Sequence, residues 1–364
     1  MAPSRASGRD GEKEFVVALE RREERERARR VDKWKAAVSG AISGAVSRTL
    51  VNPLDVIKIR FQIQREGTVK MAKTARGKYV GVTQALGCIV REEGVRGLWK
   101  GTVPGLLLTV PYCAVQFLAL ETFRSAFQRR RIGVEGDNRE VLSMDRTMSF
   151  AGGAFAGVAA TAASYPFDLL RTTMAAQGVP KQYPTVFHAA RGIVAQRGVF
   201  RGLYAGLGAT VVEIIPYAAL QFGLYDIFTA AYDRHVHAAV GSPSEGGTGK
   251  KVAVDWSYLV SKPFVCGLAS GFIAKFATHP LDVVKKRYQV AGLKRSATYG
   301  KGFGVKEVAV LGIFRLLTKT VREEGLQGIY KGVTPSLLKA APSAAITFAM
   351  YSLAMDYMSS AAQG

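Results

Sequence analysis

Cysteine, histidine and acidic residues are all scarce in this 364-residue chain. Its three cysteines, Cys88, Cys113 and Cys266, have no metal-ligand spacing and make an odd count, which argues against a disulfide framework or a zinc site and for a reducing or redox-indifferent compartment. The four histidines, His188, His235, His237 and His279, form no catalytic set, and no Walker-type phosphate loop occurs. The sequence therefore reads as a non-enzyme with no cofactor. A secretory signal is missing too: residues 1–33 carry the mixed-charge run Arg21 to Arg27 with no apolar core after it. Cleavable mitochondrial presequences are poor in acids, so this stretch reads instead as a charged, solvated N-terminal tail.

Against 28 acids stand 50 lysines and arginines, a formal net charge of +22. Such an excess calls for an anionic partner: nucleic acid, acidic lipid headgroups or a phosphorylated solute. The composition, 48% hydrophobic and 21% charged, suits either several soluble domains or a polytopic membrane protein.

Internal repetition separates these alternatives. Pro-Leu-Asp-Val-Ile-Lys at 53–58, Pro-Phe-Asp-Leu-Leu-Arg at 166–171 and Pro-Leu-Asp-Val-Val-Lys at 280–285 are spaced by 113 and 114 residues. A GxxxG pair precedes each proline in the same register: Gly40/Gly44, Gly153/Gly157 and Gly267/Gly271. Three related turns follow, Glu93-Gly94 to Trp99-Lys100-Gly101, Arg197-Gly198 to Tyr204-Ala205-Gly206, and Glu324-Gly325 to Tyr330-Lys331-Gly332.

Apolar segments at 36–57, 102–127, 147–170, 206–232, 259–284 and 333–358 are each long enough to cross a bilayer at about 1.5 Å per residue. Small residues inside them destabilise a soluble helix but favour close packing in membranes. The expected fold is an all-α membrane protein of six transmembrane helices, paired into three repeats with pseudo-threefold symmetry. Repeat bounds are expected at 34–128, 145–232 and 257–358. Amphipathic runs at Val82 to Val90 and Val308 to Val321 predict short surface helices on one side, and an even number of spans puts both termini on the other.

The triple Pro-x-Asp-x-x-Lys/Arg with its Gly-x-x-x-x-aromatic-Lys-Gly turn resembles the signature of the mitochondrial carrier family over residues 34–358. The resemblance implies alternating access in the mitochondrial inner membrane, with both termini on the intermembrane-space side. It also implies a matrix-side ring of ion pairs: Asp55 with Arg171, Asp168 with Lys285, and Asp282 with Lys58. Buried charges in a membrane are costly unless they pair or face water. Gln62 and Gln289 stand where the family braces this ring, whereas the second repeat has Ala175. On the cytosolic side Glu121, Arg124 and Asp226 form a depleted second gate. Trp99, Lys100, Gly101, Tyr79, Gly81, Tyr330, Lys331 and Gly332 are similar to the family's cardiolipin sites; Ala205 and Thr185 depart from that pattern.

Five residues before the three prolines lie Arg48, Thr161 and Lys275. With Lys339 on the last span, two of these supply a positive trap for a phosphate or diphosphate; the alternative is snorkelling to lipid headgroups. Tyr112, Tyr217, Gln116 and Gln221 can stack on or hydrogen-bond a heteroaromatic ring, with core packing as the alternative for the tyrosines. Glu213 adds an acid that can hold a cationic group or pair with a lysine.

Three short stretches, Asp168-Leu169-Leu170-Arg171 with Ala175 to Gly178, Lys285 to Val290, and Ser336 to Ser343, are similar to thiamine pyrophosphate carriers. That likeness implies exchange of thiamine pyrophosphate for a nucleotide or phosphate. The other readings are a carrier of an adenine nucleotide, deoxynucleotide or coenzyme A, and, in another class, a basic membrane-surface or nucleic-acid-binding protein. Expected partners are a phosphorylated small molecule and cardiolipin, without nucleic acid.

Overall fold

The computed structural model describes residues 35, 38–64, 78–131, 138–239, 262–293 and 312–360. Among these residues there is no β-strand. Helix α1 spans 38–63 and is followed by α2 (Val82–Glu93), a 3-10 turn at Val95–Trp99, α3 (Thr102–Leu107) and α4 (Thr109–Arg131). Next come α5 (Asn138–Ala176), α6 (Val186–Arg197), α7 (Val199–Leu203) and α8 (Leu207–Ala239). The chain continues with α9 (Lys262–Gln289), α10 (Ile313–Ile329) and α11 (Val333–Ser360).

Pro53, Pro166 and Pro280 all lie inside helices, where each removes a backbone donor. Among the described residues, four stretches are long and apolar enough to cross a membrane: Val95–Phe123, Val199–Arg234, Phe264–Gln289 and Val333–Ser360. Phe117, Phe222, Ile227 and Phe348 on them are all exposed. Large apolar side chains turned outward on long helices mark an apolar surrounding rather than water. Helix α2 appears where the amphipathic run Val82 to Val90 predicts it, and α10 begins at Ile313. Residues 308–311 of the second predicted run lie outside the described residues, as do all of residues 1–33.

The chain divides into two units, residues 1–47 with 343–364 and residues 48–342. In the first, the Ser47 hydroxyl donates to the Ser343 carbonyl at 3.0 Å, and small residues such as Ser39 and Ser43 are buried. In the second, α4 packs along α5 and α8 along α9. Its hydrophobic core gathers Ile57 and Ile63 of α1, Ile89 of α2, Tyr165 and Leu169 of α5, Ile193 of α6, Val284 and Val290 around the end of α9, and Leu316 of α10. The core thus sits where the C-terminal ends of α1, α5 and α9 meet the short helices, and the charged residues after the three prolines lie beside it.

Candidate functional site: a layer of paired charges

Two residues beyond each proline, an aspartate meets a cation from another helix. Arg171 of α5 pairs with Oδ2 of Asp55 on α1. Lys58 of α1 is 2.8 Å from Asp282 of α9, and Lys285 of α9 is 3.1 Å from Asp168 of α5. These links tie α1, α5 and α9 together in sequence-distant pairs. Gln62 donates to Asp282 at 3.2 Å and Gln289 to Asp168 at 2.9 Å, so these two of the three acids also have a neutral donor. Ala175, at the corresponding place in α5, is buried in the core.

The two trap lysines reach two of these carboxylates. Lys339 donates to Oδ1 of Asp55 at 2.6 Å, leaving Oδ2 to Arg171. Lys275 bridges Asp282 at 3.0 Å and Glu213 at 2.9 Å, with its ammonium 6.0 Å from the Tyr217 ring centroid. Glu213 is thereby the partner of a lysine, one of the two roles open to it in the sequence. The Arg48 guanidinium donates to the Gly105 carbonyl at 2.9 Å. Tyr112, Gln116 and Gln221 are half-buried, and Glu121 and Asp226 are exposed; the side chain of Arg124 lies outside the described residues.

Lys286 is a member of this layer that pattern reading missed. Its ammonium touches Thr172 Oγ1 at 2.8 Å, Gln289 Oε1 at 2.9 Å and Asp168 at 3.7 Å. The repeat pattern did not mark it, because the other two repeats have Ile59 and Thr172 at that offset; it stood only within the stretch Lys285 to Val290, with no role given.

A second set of buried charges lies outward of the layer. Arg60 binds Glu93 through both of its terminal nitrogens, at 2.5 and 2.8 Å, and also reaches the Tyr79 hydroxyl at 3.2 Å. Lys100 adds a contact to Glu93 at 2.6 Å. The same triad recurs as Arg287, Glu324 and Lys331, at 2.8 and 2.6 Å. Arg60 and Arg287 each lie seven residues after a proline, a recurring offset that could have exposed them. The second repeat has Thr173, Arg197 and Ala205 instead. Burial disfavours the Glu93 carboxylate, but the hydrogen bond and charge of Arg60, then those of Lys100, outweigh it and hold Glu93 below the usual carboxylate range. Lys100 and Lys331 are thus engaged by acids within their own turns.

The turn glycines have a role that the lipid reading did not contain. Gly101 has φ +88°, and a Cβ there would lie 2.7 Å from the carbonyl oxygen of Arg171. A Cβ on Gly332 would meet the Lys58 carbonyl at 3.0 Å, and one on Gly206 the Lys285 carbonyl at 3.3 Å. Each turn therefore backs onto the main chain of one of the three cations that pair with an aspartate. The residues just before the prolines reach back to these turns: Asn52 donates to Leu98 O at 3.0 Å and Tyr165 to Ala205 O at 2.9 Å, while His279 Nε2 lies 2.9 Å from Lys331 O.

Of the remaining lipid candidates, Tyr79 is buried beside Arg60 and Phe61. Gly81 precedes α2 as its N-cap. Tyr330 stacks on Phe276 at 4.8 Å. Trp99 donates from its indole to Thr49 O at 2.9 Å and lines, with Arg96, Lys100, Gly101, Lys181 and Tyr183, a cavity of about 340 Å³.

Long helices with apolar outer faces, enclosing a layer of cross-linked charges, define a polytopic α-helical membrane protein. The profile described as mitochondrial carrier protein matches residues 30–131, 144–235 and 257–361. The chain belongs to the mitochondrial carrier family, and is therefore a transporter of the mitochondrial inner membrane rather than an enzyme. It is 45% identical over 327 residues to mitochondrial thiamine diphosphate carrier 1 of Arabidopsis thaliana, covering 88% of this chain and 93% of that one. It is 44% identical over 337 residues to mitochondrial thiamine diphosphate carrier 2 of Zea mays, covering 90% and 94%. With the mitochondrial thiamine pyrophosphate carrier of Homo sapiens the identity is 37% over 320 residues, covering 88% and 90%.

Proposed function

We propose that this carrier exchanges thiamine diphosphate for a nucleotide or phosphate by alternating access. The observation that carries the reading is the clustering of Lys275, Lys339, Glu213 and Tyr217 against the three-aspartate layer. Lysines suit a diphosphate through charge-assisted hydrogen bonds, the tyrosine suits an aromatic ring, and Glu213 can turn from Lys275 to a thiazolium cation. The plant and animal relatives, named for thiamine diphosphate or pyrophosphate, support the same cargo.

In this reading the helices form six spans in three repeats, at 34–128, 145–232 and 257–358, with both termini toward the intermembrane space. The Asp55, Asp168 and Asp282 pairs close the matrix side, braced by Gln62 and Gln289, and Glu121, Arg124 and Asp226 form a weaker cytosolic closure. Arg48 completes the anion trap. Cardiolipin occupies the basic cavity at Trp99, Lys100 and Gly101, where the N-terminal end of α6 favours a phosphate. Its counterparts are the turns at Gly81 and at Tyr330 to Gly332.

The test is uptake of labelled thiamine diphosphate by liposomes holding the purified protein. Uptake is expected only when a counter-substrate is inside, and unlabelled thiamine should compete poorly for want of the diphosphate. Robust uptake of coenzyme A or ATP with none of thiamine diphosphate would overturn the cargo and leave the family assignment standing.

A further inference from the structure

The three aspartates of the layer are not equivalent. Asp55 and Asp282 each hold two cations of different kinds: one from the three-pair layer, Arg171 or Lys58, and one of the trap lysines, Lys339 or Lys275. Those two lysines are the more exposed members, with 33% and 24% of their side-chain surface open. Asp168 also has two cations, but its second is Lys286, only 9% exposed and pinned by Thr172 and Gln289. Its first, Lys285, is 14% exposed.

A ligand anion can therefore contact Lys275 and Lys339 only in competition with aspartates that help hold the layer together. We propose that a diphosphate group loosens the layer at two of its three corners, drawing Lys339 from Asp55 and Lys275 from Asp282 and Glu213, while the Asp168 corner stays locked on Lys285 and Lys286. Losing Lys339 leaves Asp55 Oδ1 without its cation, whereas Asp282 keeps Lys58 and Gln62. The Asp55 corner is accordingly the first to weaken. Substrate binding thus acts on the closure directly, through shared lysines, and needs no relay through the helices. This deepens the carrier reading above, yet it does not depend on thiamine diphosphate being the cargo.

The test measures binding of inorganic pyrophosphate to the full-length purified protein by calorimetry, so a failed thiamine diphosphate uptake assay leaves it intact. Removing a competing carboxylate should free its lysine: Asp55→Asn, Asp282→Asn and Glu213→Gln should each bind pyrophosphate about five- to tenfold more tightly, a share of what one charged hydrogen bond contributes. Asp168→Asn, although it should lose exchange as the others do, should shift affinity less than about twofold, since its lysines are not shared. Pairing Lys339→Gln with Asp55→Asn should abolish the tightening, because the contested group is gone. Equal tightening in all three asparagine variants would reduce the effect to the general field of negative charge and overturn the proposal, as would no tightening at Asp55 or Asp282. Amine-reactive labelling of the unmutated protein gives a second readout that needs no variant to fold. Pyrophosphate should shield Lys275 and Lys339 and leave Lys285 and Lys286 as they were; equal shielding of all four, or of neither of the first two, refutes the two-corner arrangement.

Discussion

Replacing Gly101 by alanine puts a methyl carbon 2.7 Å from the Arg171 carbonyl oxygen, 3.5 Å from its carbonyl carbon and 3.5 Å from its Cγ. The nearest atom is main chain, so no rotamer change can relieve the contact. Two costs combine. An L-residue in the left-handed conformation that Gly101 adopts, at φ +88°, costs about 1–2 kcal/mol, and overpacking of a closed contact adds about 1–3 kcal/mol. Their sum, roughly 2–5 kcal/mol, corresponds to a fall in Tm of roughly 3–7 °C for a chain of this size. Gly94→Ala separates the two costs, since Gly94 has φ +71° but nothing within 4 Å of the added methyl. Thermal unfolding in detergent should rank Gly101→Ala well below Gly94→Ala, with Gly332→Ala between them because its contact is 3.0 Å. The displaced Arg171 should also weaken its pair with Asp55, so Gly101→Ala should lose more exchange in liposomes than Gly94→Ala. Equal Tm values for Gly101→Ala and Gly94→Ala would refute the idea that this turn holds the Arg171 main chain in place.

Two further outcomes follow from the charge networks. Asp168→Lys should abolish exchange, and adding Lys285→Asp should restore part of it by re-forming the 3.1 Å pair with reversed sign; a folded double variant no better than either single one would break the pairing assignment. Glu93, whose pKa is depressed in the folded protein, contributes stability that is fully present above the unfolded carboxylate range and is lost as pH falls through the lower folded value. Glu93→Gln should therefore flatten the acid limb of a Tm-against-pH profile. It should also cost about 3–5 kcal/mol near neutrality by leaving Arg60, with a side chain 1% exposed, without its acid. An unchanged acid limb would show that the loss of stability at low pH arises elsewhere.

Periodicity in the chain is what made the architecture readable. Three Pro-x-Asp-x-x-Lys/Arg segments at near-equal spacing place acid and base at the same height on three helices, and a membrane setting requires such charges to pair or face water. Offsets of this kind report height and face along a helix. They do not report how far a flexible lysine stem reaches, or which of two acids it meets. Lys339 lies 284 residues from Asp55 and Lys275 lies 62 from Glu213, so only the packing of α11, α8 and α9 decided that the trap lysines are shared with the ion-pair layer. The role of Lys286 escaped notice for a related reason: it occurs in one repeat only, and a search for recurrence passes over such residues.

The turns divide in the same way. Their aromatic-x-Gly pattern was legible. Tertiary structure alone decided that Gly101 lies against the Arg171 carbonyl and that Lys100 is engaged by Glu93. Glycine in a sequence signals conformational freedom or close approach without naming the neighbour, and a lysine signals charge without naming the partner. The recurring order of residues determined which helices and charges exist and at what level; the approach of main chain to main chain between α1, α5, α9 and the turns decided which of those charges compete for one another.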